Sequence, residues 1–212
     1  LKKYLIEKRR INKNKIHTIN HFSPFPKSNF EPNLKLESIF YAGNTGRPQN
    51  ISTFINFFNE QFPQNWKFEL YGAGQEFESL SKFSKDNINI NDYLPREDLE
   101  EKVKDIPYAL ICLDYEITIE GFPGKTFDYL NMNKILINFS NPNSAVSKLI
   151  DKYELGFNID LKKPEKLETT LQQMKNLKKV NQILKNITDF QQNISNKEIV
   201  STKYSSLIRS SS

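Results

Sequence analysis

The sequence predicts a doubly wound α/β fold, a parallel sheet covered by helices on both faces. Short, nearly continuous apolar runs alternate with amphipathic segments. The connections between them are short, as strand–helix–strand units require. A content of 37% hydrophobic and 12% aromatic residues in 212 is enough to bury a sizeable core, so the chain is expected to fold rather than remain disordered.

Along the chain, "LKKYLIEKRRIN" reads as the end of a helix and "KIHTIN" as a short strand, followed by the linker "HFSPFPKSNFEPN". Strands are then expected at "LESIFYA", "WKFELY", "NINI", "YALICL", "KILINF" and "LGFNI". Helices are expected at Ile51 to Phe62, Glu76 to Phe83, Arg96 to Lys104, from about Lys125, and Ser144 to Tyr153. In the first of these, Ile51, Phe54, Ile55 and Phe58 form one apolar stripe that belongs on the sheet. Beyond Pro164 the pattern is helical and polar. Four segments result: residues 1–23, a linker at 24–35, the α/β unit at 36–160, and C-terminal helices at 161–212. The first residue is Leu, so the chain is expected to be excised from a longer one.

Composition narrows the function classes. The single cysteine, Cys112, lies in an apolar run and reads as a buried structural thiol. No apolar run reaches the length of a bilayer span and no signal-peptide pattern opens the chain, so a soluble, cytoplasmic protein is expected. The net charge of +5 is uneven, with seven Lys or Arg among the first sixteen residues. Such flanks suit a membrane's anionic inner face or an acidic partner, although a solvated helix face explains them as simply. No nucleic-acid-binding motif or zinc spacing accompanies them.

Ligands of open α/β sheets bind at the loops that follow the strands. "YAGNTGRPQN" places Gly43 and Gly46 beside Arg47 ahead of a helix, where backbone amides and a guanidinium can meet an anion. "YGAGQE", with Gly72 and Gly74, reads as a structural turn. "EGFPGKTFDYL" crowds Glu120, Lys125 and Asp128 around a Gly-Phe-Pro-Gly turn. There Lys125 can meet a diphosphate, Asp128 a ribose diol and Glu120 sugar hydroxyls. First-turn stabilisation of a helix accounts for Asp128 equally well. His17 and His21 read as structural or solvent-facing.

The succession "FYAGNTGRPQNISTF", "FELYGAGQEFESL", "NDYLPREDLEEKVKDIPYALICL", "EGFPGKTFDYLNMNKILINF" and "NSAVSKLIDKYELGFNID" resembles the C-terminal, donor-binding half of GT-B glycosyltransferases of the glycosyltransferase family 4 type. The resemblance covers about Leu36 to Asp160, and "PGKTFDYL" is its most specific part. It implies a Rossmann-like sheet, a nucleotide-diphosphate sugar as donor substrate, no metal, no further cofactor, and retention at the anomeric carbon. The acceptor, a glycan or a lipid-linked glycan, is implied to bind a preceding N-terminal domain, of which residues 1–23 are the remnant. The resemblance puts Glu120 at the donor sugar and Asp128 at the ribose. Gly43, Asn44, Gly46 and Arg47, with Gly121, Phe122, Pro123, Gly124, Lys125 and Thr126, would line the sugar and diphosphate. Tyr93 and Leu94 would hold the base. Glu120, Lys125 and Arg47 would be the catalytic groups.

Departures from the family pattern bear on that picture. Asn44 stands where many relatives carry Arg, Gln49-Asn50 replaces a Lys-Gly pair, the second acid of the signature is Asp128 instead of Glu, and Asp92 replaces a glycine. They keep a second class open, a glycosyltransferase-like module that binds a nucleotide or a protein without turnover. A flavodoxin-like nucleotide binder shares the layout as well.

Overall fold

A computed structural model describes residues 2–118 and 121–210. Six parallel strands form one sheet in the order β3-β2-β1-β4-β5-β6: β1 (Ser38–Asn44), β2 (Lys67–Ala73), β3 (Ile88–Asp92), β4 (Tyr108–Cys112), β5 (Ile135–Phe139) and β6 (Gly156–Ile159). Helices alternate with them: α1 (Lys2–Glu7) ahead of the sheet, then α2 (Ile51–Gln61), α3 (Phe77–Leu80), α4 (Arg96–Lys102), α5 (Lys125–Asn131) and α6 (Ala145–Tyr153). After β6 come α7 (Leu167–Lys175), α8 (Leu177–Asn193) and α9 (Lys197–Ser210). This is the predicted doubly wound α/β class. The strand order reverses between β1 and β4, the position where such sheets open a crevice.

The apolar stripe of α2 lies where its spacing puts it. Phe54 meets Phe68 of β2 and Phe139 of β5, with ring centroids 5.1 and 5.3 Å apart, and Phe58 stacks on Phe62 at 4.6 Å. On the opposite face Tyr129 of α5 packs edge-on against Phe40 at 5.1 Å. β5 and β6 approach so closely that a Cβ at Gly156 would run into the Leu136 backbone, which only glycine avoids.

Two expectations need correction. "KIHTIN" forms no strand: Lys13–Lys15 is a 3₁₀ turn capped by Asn12, and residues 16–20 have no sheet partner among the described residues. A strand needs a neighbour for its N–H and C=O groups, which local pattern cannot supply. The helix expected from Glu76 to Phe83 is split into α3 and a 3₁₀ turn at Ser81–Phe83. There the Ser79 and Ser81 hydroxyls donate back to the Glu76 and Glu78 carbonyls, tightening the turns. The C-terminal helices expected beyond Pro164 are present and pack onto the sheet. Leu167, Leu171 and Met174 of α7 and Val180, Ile183, Ile187 and Phe190 of α8 belong to the same core as the sheet. The linker is docked: Ser28 N–H donates to Asn131 C=O at 2.8 Å, and the Asn133 amide donates to the Ser28 and Phe30 carbonyls, both at 3.1 Å.

Lys134, at the entrance to β5, is the most buried charged residue of the core at 1% exposure. Burial pulls its pKa down to about 7. All three of its ammonium protons are nevertheless used, donating to the carbonyls of Val103, Lys104 and Ile106 at 2.6, 2.9 and 2.8 Å. They close the end of α4, where carbonyls are left without helical partners and the dipole favours a cation. Lys134→Met removes the donor to the Lys104 and Ile106 carbonyls, while Val103 C=O keeps the Ile106 N–H at 3.0 Å. The substitution is expected to cost about 2–4 kcal/mol, read from the urea midpoint.

Candidate functional site

β1 and β4 are hydrogen-bonded over two residue pairs, Ile39 with Tyr108 and Phe40 with Ala109, and then part, while β1 stays paired with β2 to its end at Asn44. Parting exposes the Ala42 peptide groups on that side. The Tyr129 hydroxyl fills the place of the missing ladder, accepting from Ala42 N–H at 2.8 Å and donating to Ala42 C=O at 3.0 Å. Burial holds this phenol neutral, with its pKa well above the usual range.

Lys125 opens α5 and reaches across the gap. Its stem is partly exposed, but the nitrogen is buried and has no hydrogen-bond partner. Nζ lies 3.7 Å from the centroid of the Tyr41 ring and 3.2 Å from where a Cβ of Gly43 would stand. Gly43 has φ +122°, where any side chain is strained, and a Cβ there would also crowd the end of the lysine. Burial pulls the Lys125 pKa down to about 7, and the nearby Cys112 opposes this weakly. Cys112 is buried with its thiol directed at Asn50 C=O, 3.8 Å away, the structural role its sequence context predicts.

The loop from β1 to α2 explains part of the altered motif. Asn50 adopts the left-handed conformation, φ 45° and ψ 48°, which asparagine tolerates better than other residues with a side chain. It therefore provides the backbone that a glycine gives elsewhere, and its amide donates to Asp114 at 2.8 Å. Gln49 brings no charge, and its Oε1 is buried without a partner. Arg47 is exposed on the same loop, as is Asn44, whereas Gly46 is buried. A cavity of about 250 Å³ lined by Asn50, Thr53, Asp114, Tyr115 and Ser140, among others, opens at this carboxyl edge. Larger hollows lie between the linker and α8, about 470 Å³, and at the opposite edge of the sheet near Trp66, about 340 Å³. Size alone does not mark the site, since neither adjoins the parted strands.

The other expected residues are distributed as follows. Asp128 accepts from the Ser23 hydroxyl at 2.6 Å and lies 3.9 Å from Arg96 Nη1, so a ribose would share it with groups already present. Thr126 is fully buried, with its hydroxyl unpartnered. Gly121, Phe122 and Gly124 are exposed and Pro123 is half-buried; the Phe122 ring meets Phe127 edge-on at 5.7 Å. Tyr93, 61% exposed, and Leu94 stand just past the end of β3. Glu120 lies outside the described residues. His21 packs edge-on against Phe127 at 4.9 Å, which brings it to the flank of the turn.

Sequence reasoning missed Tyr41, Tyr129 and Arg96. The two tyrosines are hidden in apolar periodicity, and only their hydroxyls in otherwise apolar runs signal a polar duty. Arg96 lies over the Phe25 ring at 4.4 Å and donates to Glu100 at 2.5 Å, with Nη2 buried and unpartnered.

No protein-family model matches the sequence, and no curated protein does. Solved structures match over nearly the whole chain. A variant of S. aureus TarM crystallised with fondaparinux, α-GlcNAc-glycerol and UDP superposes with a TM-score of 0.67 at 15% identity, over 94% of this chain and 41% of that one. The C-terminal domain of LpcC, a group 1 glycosyl transferase family protein from Francisella tularensis, gives 0.53 at 14% identity, over 88% and 96%. The fold is that of a GT-B C-terminal domain. WaaG, a glycosyltransferase involved in lipopolysaccharide biosynthesis, gives 0.65 at 10% identity, over 92% of this chain and 56% of that one. The chain thus spans about two fifths of TarM and just over half of WaaG.

Two substitutions test the parted strands. Tyr129→Phe removes both partners of the Ala42 peptide and is expected to cost about 1–3 kcal/mol, seen as a lower urea midpoint at unchanged slope. Lys125→Met should act the other way, gaining about 1–3 kcal/mol near pH 6.5 because an unpaired buried charge is removed. The unfolded chain keeps the Lys125 proton up to about pH 10.5 and the folded chain releases it near 7. Wild-type stability therefore rises with pH through that window, and the advantage of Lys125→Met shrinks by pH 9.

Proposed function

We propose that this chain is the donor-binding half of a glycosyltransferase of the family 4 type, which moves a sugar from a nucleotide diphosphate to a glycan or lipid-linked acceptor. The observation that carries this reading is the parting of β1 and β4 before their carboxyl ends. A buried ammonium without an acceptor, an exposed arginine and the start of α2 stand at the carboxyl edge of a sheet shared with a UDP-bound TarM. An unpaired buried cation is costly, and an anionic ligand is what offsets it. The diphosphate would sit at the N-terminus of α2 beside Gly43, with Arg47 and Lys125 neutralising the charge that develops as the glycosidic bond breaks. Tyr93 and Leu94 would border the base, Asp128 the ribose and Glu120 the sugar.

Transfer with retention and without a metal, in polysaccharide or glycoconjugate synthesis, belongs to the same proposal. So do an acceptor bound by an N-terminal domain, a cytoplasmic location and contact of the basic flanks with a membrane's inner face. A module that binds without turnover is the second reading. It is favoured by Asn44 and Gln49, which leave the loop with Arg47 as its one cation.

The decisive experiment is a thermal-shift titration of the chain with UDP-, GDP- and ADP-sugars, repeated on Lys125→Ala. One nucleotide class is expected to raise Tm by several degrees at 100 times its Kd, with the shift absent in the variant. A shift unchanged by the variant would place the ligand elsewhere. Loss of transfer by Lys125→Ala in a protein carrying both domains separates the enzyme from the module.

A further inference from the structure

Lys125 is held in a way that its proposed role does not require. Its ammonium has neither a hydrogen-bond acceptor nor exposed surface, so a diphosphate entering the crevice does not reach it in this position. What it faces is the Tyr41 ring at 3.7 Å, and a ring face attracts a cation most strongly where water is excluded. Tyr41 is fixed. Its ring is fully buried and its hydroxyl donates to Asn44 C=O at the end of β1. The lysine stem, by contrast, is partly exposed and turns about several bonds.

We propose that Tyr41 is a positioning residue of the diphosphate site: its ring stores the Lys125 ammonium against Gly43, and a bound nucleotide diphosphate draws that ammonium off the ring onto its phosphates. This rests on the nucleotide-sugar reading above. Storage holds the lysine in place without an acceptor while the crevice is empty. It also ties affinity to the charge of one group. Among the described residues around the gap, Tyr41 on β1, Cys112 on β4 and Tyr129 on α5 are kept neutral by burial. Asp114 is bonded to Asn50, Asp128 to Ser23, and Arg47 stays charged. His21 packs against Phe127 at the flank of the turn, and Lys125→Arg, which keeps His21, separates its contribution from that of Lys125.

The test has two arms on the full chain. In the first, the ¹³Cε resonance of Lys125, assigned with Lys125→Arg, is followed from pH 6 to 11 with and without nucleotide, in wild type, Tyr41→Phe and Tyr41→Leu. Storage predicts a midpoint well below 10.5 in the free chain. Tyr41→Phe should leave it in place, Tyr41→Leu should lower it further, and bound nucleotide should raise it. In the second arm, affinities for UDP-glucose, GDP-mannose and ADP-glucose are measured at pH 7 and 9. The diphosphate charge of these diesters is constant over that range. Relative to Lys125→Arg, which shares any ionisation of the base, the wild type is expected to weaken by roughly tenfold or more at pH 9, and Tyr41→Phe to follow the wild type.

A free-chain midpoint near 10.5, or one that Tyr41→Leu leaves unmoved, would overturn the storage. Binding with a wild-type profile no steeper than that of Lys125→Arg would overturn the release onto phosphate. If no nucleotide binds while the midpoint is low and depends on Tyr41, the storage stands and the nucleotide-sugar reading falls. Should Tyr41→Leu not fold, the wild-type titration with and without nucleotide decides.

Discussion

Two residue pairs join β1 to β4 before the strands separate, and the candidate site follows from that separation. A parallel pair that stayed joined to its end would leave no space at the carboxyl edge and no unsatisfied peptide to bridge. Separation leaves the Ala42 peptide without its ladder, and the Tyr129 hydroxyl restores one acceptor and one donor. That bond pins α5 to the sheet by its second turn, and so fixes where Lys125, one turn earlier, can reach. Gly43 is drawn into the same arrangement, because the lysine occupies the space beside its α-carbon.

The two lysines with buried nitrogens show how differently one residue type can be used. Lys134 and Lys125 are both pulled to about pH 7 by burial. Lys134 donates every proton to a carbonyl at the end of α4, so its charge is part of the scaffold and its loss leaves the backbone unsatisfied. Lys125 donates none, so losing its charge leaves no hydrogen-bonding group unsatisfied. A charged group that the folded state tolerates at a cost is a candidate partner for a ligand.

The segments flanking the sheet are part of the same body. The linker holds α5 through Ser23 on Asp128 and the Asn131 and Asn133 amides, which donate to its carbonyls. From the other side, the Gln191 amide of α8 donates to Leu130 C=O, and Ser195 donates to His21 C=O at 2.9 Å. α5, with Lys125 at its head, is therefore clamped between the chain that enters the domain and the helices that leave it.

The apolar periodicity of the strands and of α2, with the turn residues between them, determined the fold class, because one-sided or two-sided burial is written in local spacing. The same reading marked Gly43, Arg47 and Lys125 as residues of one edge, since glycines and cations ahead of helices have few other uses. It failed at "KIHTIN", where strand formation depends on a neighbour that local sequence does not name. It also could not assign Lys134 or Lys125 their opposite duties, or see that Tyr41 and Tyr129 serve as more than core. Those facts depend on which groups from distant parts of the chain meet: three carbonyls for one lysine, an aromatic face for the other, and a parted peptide for a phenol. Spacing along a sequence specifies the faces of elements, while hydrogen bonding and burial between elements exist only once the sheet order has brought β1 beside β4.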